Sequence, residues 1–417
     1  MIFNLFLFLC FYLPFQIALN PTSQVDLSSL RILIPLLFLG WIFEKIKNKR
    51  KIFVFDIQEK LVLFFLFLSF GSLFFAKDCG WATRKLAYLF SIFPIYFIAR
   101  DILDNKEKII KTLVSLVFSS ALVSFLGIIQ FFSQILWSHD EISNFYLNFA
   151  GPVFWGENLA KMVGNYSSFL VGVSGHNYFR AIATFPDPHS FSLFLGMALP
   201  LSAVLFFVLR KKFFAVILFM LIFIANILTF SRGGYVAISL GIIFFIIIFW
   251  KKMEWKHRIT SGFLALFFIL MFSVPGPVSQ RFVSSFDSKE GSNLGRIAMW
   301  QKSLEIIKSK PFFGTGIGNF SLEVDRNINY RNPIYAHNTY LDIAVEQGVP
   351  ACLIWIVILM ITLWNFWMLS HKNMIYAGFF TSIIIFSAHS LVETGLYSPL
   401  VLSLFLIILS FFPKYEK

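Results

Sequence analysis

Polar residues stranded at the ends of apolar runs are the groups in this chain best suited to chemistry. They come in short clusters. Arg180 precedes Thr184-Phe185-Pro186-Asp187-Pro188-His189; Ser231-Arg232-Gly233-Gly234, Gly295-Arg296 and His337-Asn338-Thr339-Tyr340-Leu341 follow in that order, with Gly348 beyond. A charge beside a membrane-length apolar segment is costly and usually faces a cavity. Guanidinium groups stay charged, are planar, and grip phosphate oxygens bidentately. An imidazole with an ordinary pKa of about 6.5 is partly neutral at working pH and can take a proton from a hydroxyl. Two arginines and a histidine are thus the parts needed to neutralise a departing phosphate and activate a nucleophile.

Each residue also has a plainer reading. For Arg232 it is a cation snorkelling to headgroups, and His337 alone would be an ordinary hydrogen-bonded loop histidine. His389 and Glu393 lie four apart, hence on one helical face, and read as a packing pair. Gly314, Gly316 and Gly318 are spaced like a phosphate loop, but they follow no strand and lack its Lys-Ser/Thr. They are expected to form a flexible turn after Pro311. There is no HExxH and no GxSxG elbow, and the Asp-x-Asp of metal-dependent sugar transferases is missing. No metal or other cofactor is therefore expected. Cys10, Cys79 and Cys352 are too scattered for a cluster or a disulfide framework.

The elements that must position these groups are membrane spans. The chain of 417 residues is 58% hydrophobic and 14% charged, against about 25% charged for a soluble domain. Apolar runs of about 18–20 residues, each able to cross a hydrocarbon core, recur throughout. The expected fold is an all-α polytopic membrane protein with about twelve transmembrane helices, near 2–19, 28–44, 61–76, 83–99, 109–136, 189–209, 213–231, 234–250, 259–275, 341–368, 374–391 and 397–412. The first run lacks the positive n-region of a cleaved signal peptide and is expected to remain as a span.

Alternate connections are basic. Lys45 to Lys60, Arg100 to Lys111, Arg210 to Lys212, Lys251 to Arg258, Lys372, and Lys414 with Lys417 carry the excess; the connections between them are poorer in positive charge. By the positive-inside rule both termini face the cytoplasm. That bias also accounts for the net charge of +13, so no nucleic-acid partner is expected. Two long external connections follow, 137–188 and the larger 276–340, attached to a single integral membrane domain over 1–417. Ile297, Trp300, Leu304 and Ile307 recur at helical spacing, and Pro311 ends the run. The expectation is an amphipathic helix on the outer membrane surface.

In this order and topology, Ser231-Arg232-Gly233-Gly234, Gly295-Arg296-x-x-x-Trp300, Gly314-x-Gly316-x-Gly318 and His337-Asn338-x-Tyr340-Leu341 with Gly348 resemble the bacterial O-antigen ligase and polymerase family of membrane glycosyltransferases. The similarity is strongest from Phe185 to Val349. It implies a helical membrane glycosyltransferase-like fold with a large loop between the ninth and tenth spans. It also implies work on polyprenyl-diphosphate-linked glycans at the periplasmic face of the bacterial inner membrane. By the same resemblance Arg232, Arg296 and His337 are the catalytic residues, and Arg180, Asn338 and Tyr340 contact substrate. Ligases tend to show a Thr where this chain has Ala351.

The implied chemistry agrees with the residue types. A lipid diphosphate is an activated donor that needs no nucleotide outside the cytoplasm, and its departure concentrates charge that arginines can neutralise. His337 would be the general base. Asn338, Asp342 and Glu346 share a helical face that excludes His337, so neither carboxylate is assigned a catalytic role. The leading function is a ligase moving a preassembled glycan from polyprenyl diphosphate to a lipid-linked acceptor such as lipid A-core. The alternative is a polymerase joining polyprenyl-linked repeats. A flippase or transporter for the same lipids is weaker, because transporters keep polar groups near the midplane and here they crowd the span ends.

Overall fold

The computed structural model describes residues 1–22, 25–52, 55–164, 167–173, 175–250, 272–329 and 333–411, with positions 255, 258, 262 and 270. Long apolar runs become helices because only internal hydrogen bonding satisfies the backbone in hydrocarbon. Five helices are long and apolar enough to cross a membrane: Ile57–Phe75, Lys106–Ser133, Pro188–Val208, Arg232–Phe249 and Val349–Ser370. Shorter apolar helices, Ile2–Phe15, Lys212–Leu228, Ile375–His389 and Pro399–Ser410, lie among them. Phe43, Phe67, Phe213, Ile247 and Met360 are exposed on the outer surface, an apolar belt suited to lipid rather than water. The protein is an all-α membrane protein. Sheet is confined, among the described residues, to two antiparallel hairpins, Ala18–Thr22 with Val25–Ser28 and Leu170–Val173 with His176–Phe179.

Pro188–Val208 is the most buried of the long helices and forms the centre. It packs against Lys106–Ser133, Lys212–Leu228, Ile375–His389 and Pro399–Ser410. Its ends are set by chemistry visible in the chain. Asp187 caps the start by accepting from the His189 and Ser190 amides at 2.9 and 2.8 Å, and Pro188 occupies the first turn.

Several expected elements differ in outline. The span expected over 341–368 is two helices, Thr339–Gln347 and Val349–Ser370, divided at Gly348. Gly348 has φ +89°, and a Cβ there would lie 2.0 Å from the Phe312 carbonyl oxygen; the chain turns where only glycine fits. The run expected over 83–99 breaks into Cys79–Ile92 and Pro94–Ile102 at the proline. The first helix ends at Phe15, before the first hairpin. Most of the run expected at 259–275 lies outside the described residues, as do Lys251, Lys252, Lys256, Lys414 and Lys417.

The loop helix is longer than expected, Gly291–Ser309, and it rests on protein. Ile306 is buried, and Trp300 and Ile307 pack with it against Phe320, Ala336 and Val345. Leu304, on the expected apolar stripe, is exposed instead. The Gly314-x-Gly316-x-Gly318 turn is packed, not loose. All three glycines have positive φ, and Gly314 abuts the Val345 carbonyl while Gly316 abuts Ala76.

Candidate active site

The polar clusters of the sequence turn out to be helix starts gathered at one end of the bundle. A helix leaves its first amides without intrahelical partners, and Ser, Asp, Asn and Glu side chains satisfy them. Asp187 caps Pro188–Val208, Ser231 caps Arg232–Phe249, Glu290 caps Gly291–Ser309 and Asn338 caps Thr339–Gln347. The caps also join the elements: His189 Nδ1 lies 3.2 Å from Ser231 Oγ. Helix N-termini carry partial positive charge, and several facing one region favour an anion there.

Arg232 is not a snorkelling cation. It is 5% exposed. Its Nη1 donates to the Ser284 carbonyl at 3.2 Å, and its Nη2 pairs with Glu290 Oε2 at 2.8 Å and with Ser292 Oγ. These contacts fasten Arg232 to the start of the loop helix. Two turns further along, Trp300 Nε1 donates to the Ala336 carbonyl at 3.0 Å, beside His337. Ser292, Arg296 and Trp300 are spaced four apart and share one helical face, so Arg296 lies between the two attachments, which are about 12 Å apart along the axis.

A second route closes the circle. Gly233 sits so near the end of Ile375–His389 that a Cβ would stand 2.7 Å from Val392 Cγ2 and 2.9 Å from the His389 ring. One residue beyond Val392, Glu393 pairs through Oε1 with His337 Nδ1 at 3.5 Å, an ion-pair distance at the outer limit of a hydrogen bond. Glu393 therefore belongs with His337, not with His389 as the four-residue spacing suggests: the helix ends at His389 and the chain turns back. The structure brings Arg232, Arg296 and His337 around a common end of the fold.

The electrostatics follow from burial and neighbours. For His337, burial is the largest influence and lowers the pKa. The hydrogen bond and charge of Glu393 outweigh it, leaving the value raised. Burial alone would raise Glu393; His337, then the charges of His189 and Arg296, hold it well below the usual carboxylate range. His337 remains half exposed, at 48% of its side chain, and its backbone has φ +50°. Non-glycine residues rarely adopt that conformation, and at functional sites such strain is held by surrounding contacts. With Nδ1 turned to the carboxylate, Nε2 is the nitrogen left to accept a proton.

Further cations gather near Arg232. Arg180 is 2% exposed; its Nε donates to the Thr229 carbonyl at 2.7 Å and its Nη1 to Ser168 at 3.0 Å. Its Nη2 is buried without a partner among the described residues, as is Arg296 Nε. Arg281, from the short helix Pro277–Val283, donates to the next carbonyl, Phe230, at 3.3 Å. Burial first, and then the charge of Arg281, bring Arg180 down to about 9; burial and then Arg232 bring Arg281 down to about 10. Burial likewise lowers Arg296. Desolvated guanidiniums with unused donors form a receptor for an anion.

Asn338 and Tyr340 are committed to the scaffold. Asn338 Oδ1 accepts from the Tyr340 and Leu341 amides at 3.0 and 3.1 Å, and the Tyr340 hydroxyl donates to the Ser387 carbonyl at 3.0 Å. Sequence reasoning missed Arg281 and Glu290, and gave Glu393 the wrong partner. A cation in the last turn of a proline-opened helix reads as a solvated helix end, and nothing local ties it to Phe230, 51 positions earlier. No group of three or more His, Cys, Asp or Glu able to hold a metal occurs among the described residues.

Residues 217–356, which include Arg232, Arg296, His337 and Gly348, match the family described as O-Antigen ligase. Over that stretch the chain is similar to the O-antigen ligase family. It is also 25% identical over 406 residues to the ComP-specific O-oligosaccharyltransferase of Acinetobacter baylyi (strain ATCC 33305 / BD413 / ADP1), an alignment covering 93% of this chain and 66% of that relative. The chain thus spans about two thirds of that relative's length. Arg180 and Glu393 lie outside the stretch matched by the ligase family.

Proposed function

We propose that this protein is a membrane glycosyltransferase of the ligase type, moving a preassembled glycan from polyprenyl diphosphate to an acceptor hydroxyl without a metal or other cofactor. The observation that carries the reading is the loop helix, tied to Arg232 at Ser292 and to the His337 segment at Trp300, with Arg296 between. In the reaction, His337 Nε2 takes the acceptor proton as the hydroxyl oxygen attacks the anomeric carbon. The bond from that carbon to the diphosphate oxygen breaks, and its electron pair leaves with the diphosphate. Arg232 and Arg296 neutralise the departing group, with Arg180 and Arg281 adding to the field. The imidazolium formed is stabilised by Glu393. A phosphate oxygen would exchange with the Glu290 carboxylate now held by Arg232.

The expected acceptor is a lipid-linked sugar such as lipid A-core. A relative named as a ComP-specific O-oligosaccharyltransferase supports transfer to an acceptor hydroxyl over polymerisation of repeats. It also supports a second reading of the acceptor, a ComP-like partner in place of a glycolipid. The alternation of basic connections supports about twelve spans, cytoplasmic termini and a site facing the periplasm across the inner membrane. Arg180 lines the approach to the site in this reading, while Asn338 and Tyr340 hold the helix start beside His337. Purified protein incubated with labelled lipid-diphosphate glycan and each acceptor tests it. Label moving to one acceptor supports ligation, and a ladder of repeat lengths indicates polymerisation. If His337→Ala and Arg232→Ala leave transfer intact, the enzyme reading fails.

A further inference from the structure

Asp342 hydrogen-bonds neither His337 nor Glu393, yet its one carboxylate holds the neighbour of each, the Ala336 amide and the Thr394 hydroxyl. Asp342 is 1% exposed. Its Oδ1 accepts from the Ala336 amide at 2.8 Å, and Ala336 directly precedes His337. Its Oδ2 accepts from Thr394 Oγ1 at 2.5 Å, and Thr394 directly follows Glu393. The Thr394 amide in turn donates to Glu393 Oε1 at 3.0 Å. The two segments come from chain positions more than fifty residues apart, and His337 stands in a left-handed conformation, φ +50°. Such a conformation persists only where neighbouring contacts over-determine it.

We infer that Asp342 is a positioning residue for the proposed transfer, setting the distance between His337 and Glu393 through the Ala336 amide and the Thr394 hydroxyl. Helical spacing turns Asp342 away from His337; the connection runs instead through the residues adjoining His337 and Glu393. A buried carboxylate receiving two hydrogen bonds is a stiff tie, since losing either donor leaves charge unsatisfied in the interior. The inference rests on His337 acting as the general base. Misplacing a catalytic group by about 1 Å can cost about a hundredfold in rate.

The charges that face the pair need to be separated from the tie. His337 feels Glu393, Arg296 of the loop helix and Asp342 itself. Glu393 feels His337, His189 of the central helix and Arg296. Truncating Asp342 therefore removes two bonds and a charge, whereas Thr394→Val removes only the Thr394 bond and keeps the Ala336 bond and the charge. Asp342→Asn removes the charge and keeps an amide of the same shape, able to accept from Ala336 and donate to Thr394.

The test compares these three variants in detergent-purified full-length protein, with labelled lipid-diphosphate glycan as donor, across pH. Thr394→Val is expected to lower kcat about tenfold or more by the same geometric argument, with donor KM within twofold. The acid limb of kcat/KM should move to lower pH, because a loosened Glu393 no longer raises His337. Asp342→Ala should do the same more strongly, and Asp342→Asn should restore most of kcat. A Thr394→Val protein with wild-type kcat and pH profile overturns the inference. So does an Asp342→Asn protein as impaired as Asp342→Ala, since charge and not position would then be the cause. If Asp342→Ala does not fold, the other two variants decide. Should His337→Ala retain full transfer activity, the proposed function itself has failed, which is a different result from a silent Thr394→Val.

Discussion

Arg232→Ala is the substitution whose outcome the structure defines most narrowly. The guanidinium is nearly buried and makes three contacts, to the Ser284 carbonyl, Glu290 and Ser292. Removing it leaves Glu290 without its cation, but Glu290 still accepts from the Ser292 and Asn293 amides at 3.0 and 3.2 Å. Its side chain is 32% exposed, so water can replace the lost partner. With that screening the stability cost is expected to be about 1 kcal/mol or less, and the variant should purify folded. Its rate should fall far more. Loss of one preorganised donor to developing negative charge costs about 10²–10³ in kcat, or roughly 2.7–4 kcal/mol. Arg232→Lys keeps the charge but loses the planar fork, and should lie between the two. Initial rates of transfer at saturating lipid-diphosphate donor read the effect directly. If Arg232→Ala retains kcat within about threefold while His337→Ala is inactive, Arg232 is a pin for the loop helix and the proposed charge neutralisation is wrong.

Three further outcomes follow from the geometry. Glu393→Gln removes the group that raises His337, so the acid limb of kcat/KM should move to lower pH while maximal kcat falls; an unmoved limb would mean that His337 is not the titrating base. The sign for stability is also fixed. The raised His337 contributes fully below its unfolded value of about 6.5 and loses that contribution as pH rises through its folded value. The lowered Glu393 contributes above about 4.3 and loses it as pH falls through its folded value. The wild-type advantage over Glu393→Gln in thermal unfolding should therefore be greatest between these limits and shrink on either side. Gly348→Ala must place a methyl group against the Phe312 carbonyl at positive φ, a strain of about 1–3 kcal/mol before any clash. It should lower the unfolding midpoint in detergent, and an unchanged midpoint would show that the turn can relax.

The elements built from long apolar runs were readable because their length and composition are local properties. The expected run at 189–209 is observed as Pro188–Val208, and that at 109–136 as Lys106–Ser133. Breaks at Gly348 and Pro94 are also local, yet within an apolar run the hydropathy signal overwhelms a single residue. Glu393 shows what spacing cannot give. Its distance from His389 suggested one helical face, but the helix ends at His389 and the partner lies 56 positions earlier. Arg281, reaching back to Phe230, was invisible for the same reason. Capping explains why Ser231, Glu290 and Asn338 accompany the site residues, as the chemistry of helix starts requires polar side chains there whatever the function.

The central claim is that Arg232 and Arg296 receive the donor diphosphate while His337 faces the carbon to be attacked. A structure of the protein with a non-transferable polyprenyl-diphosphate glycan bound measures it directly. Phosphate oxygens are expected within about 2.7–3.2 Å of both guanidiniums, with Glu290 displaced from Arg232 and His337 Nε2 open toward the anomeric carbon on the side opposite the diphosphate. A donor bound elsewhere, or one whose diphosphate meets neither arginine, would contradict it.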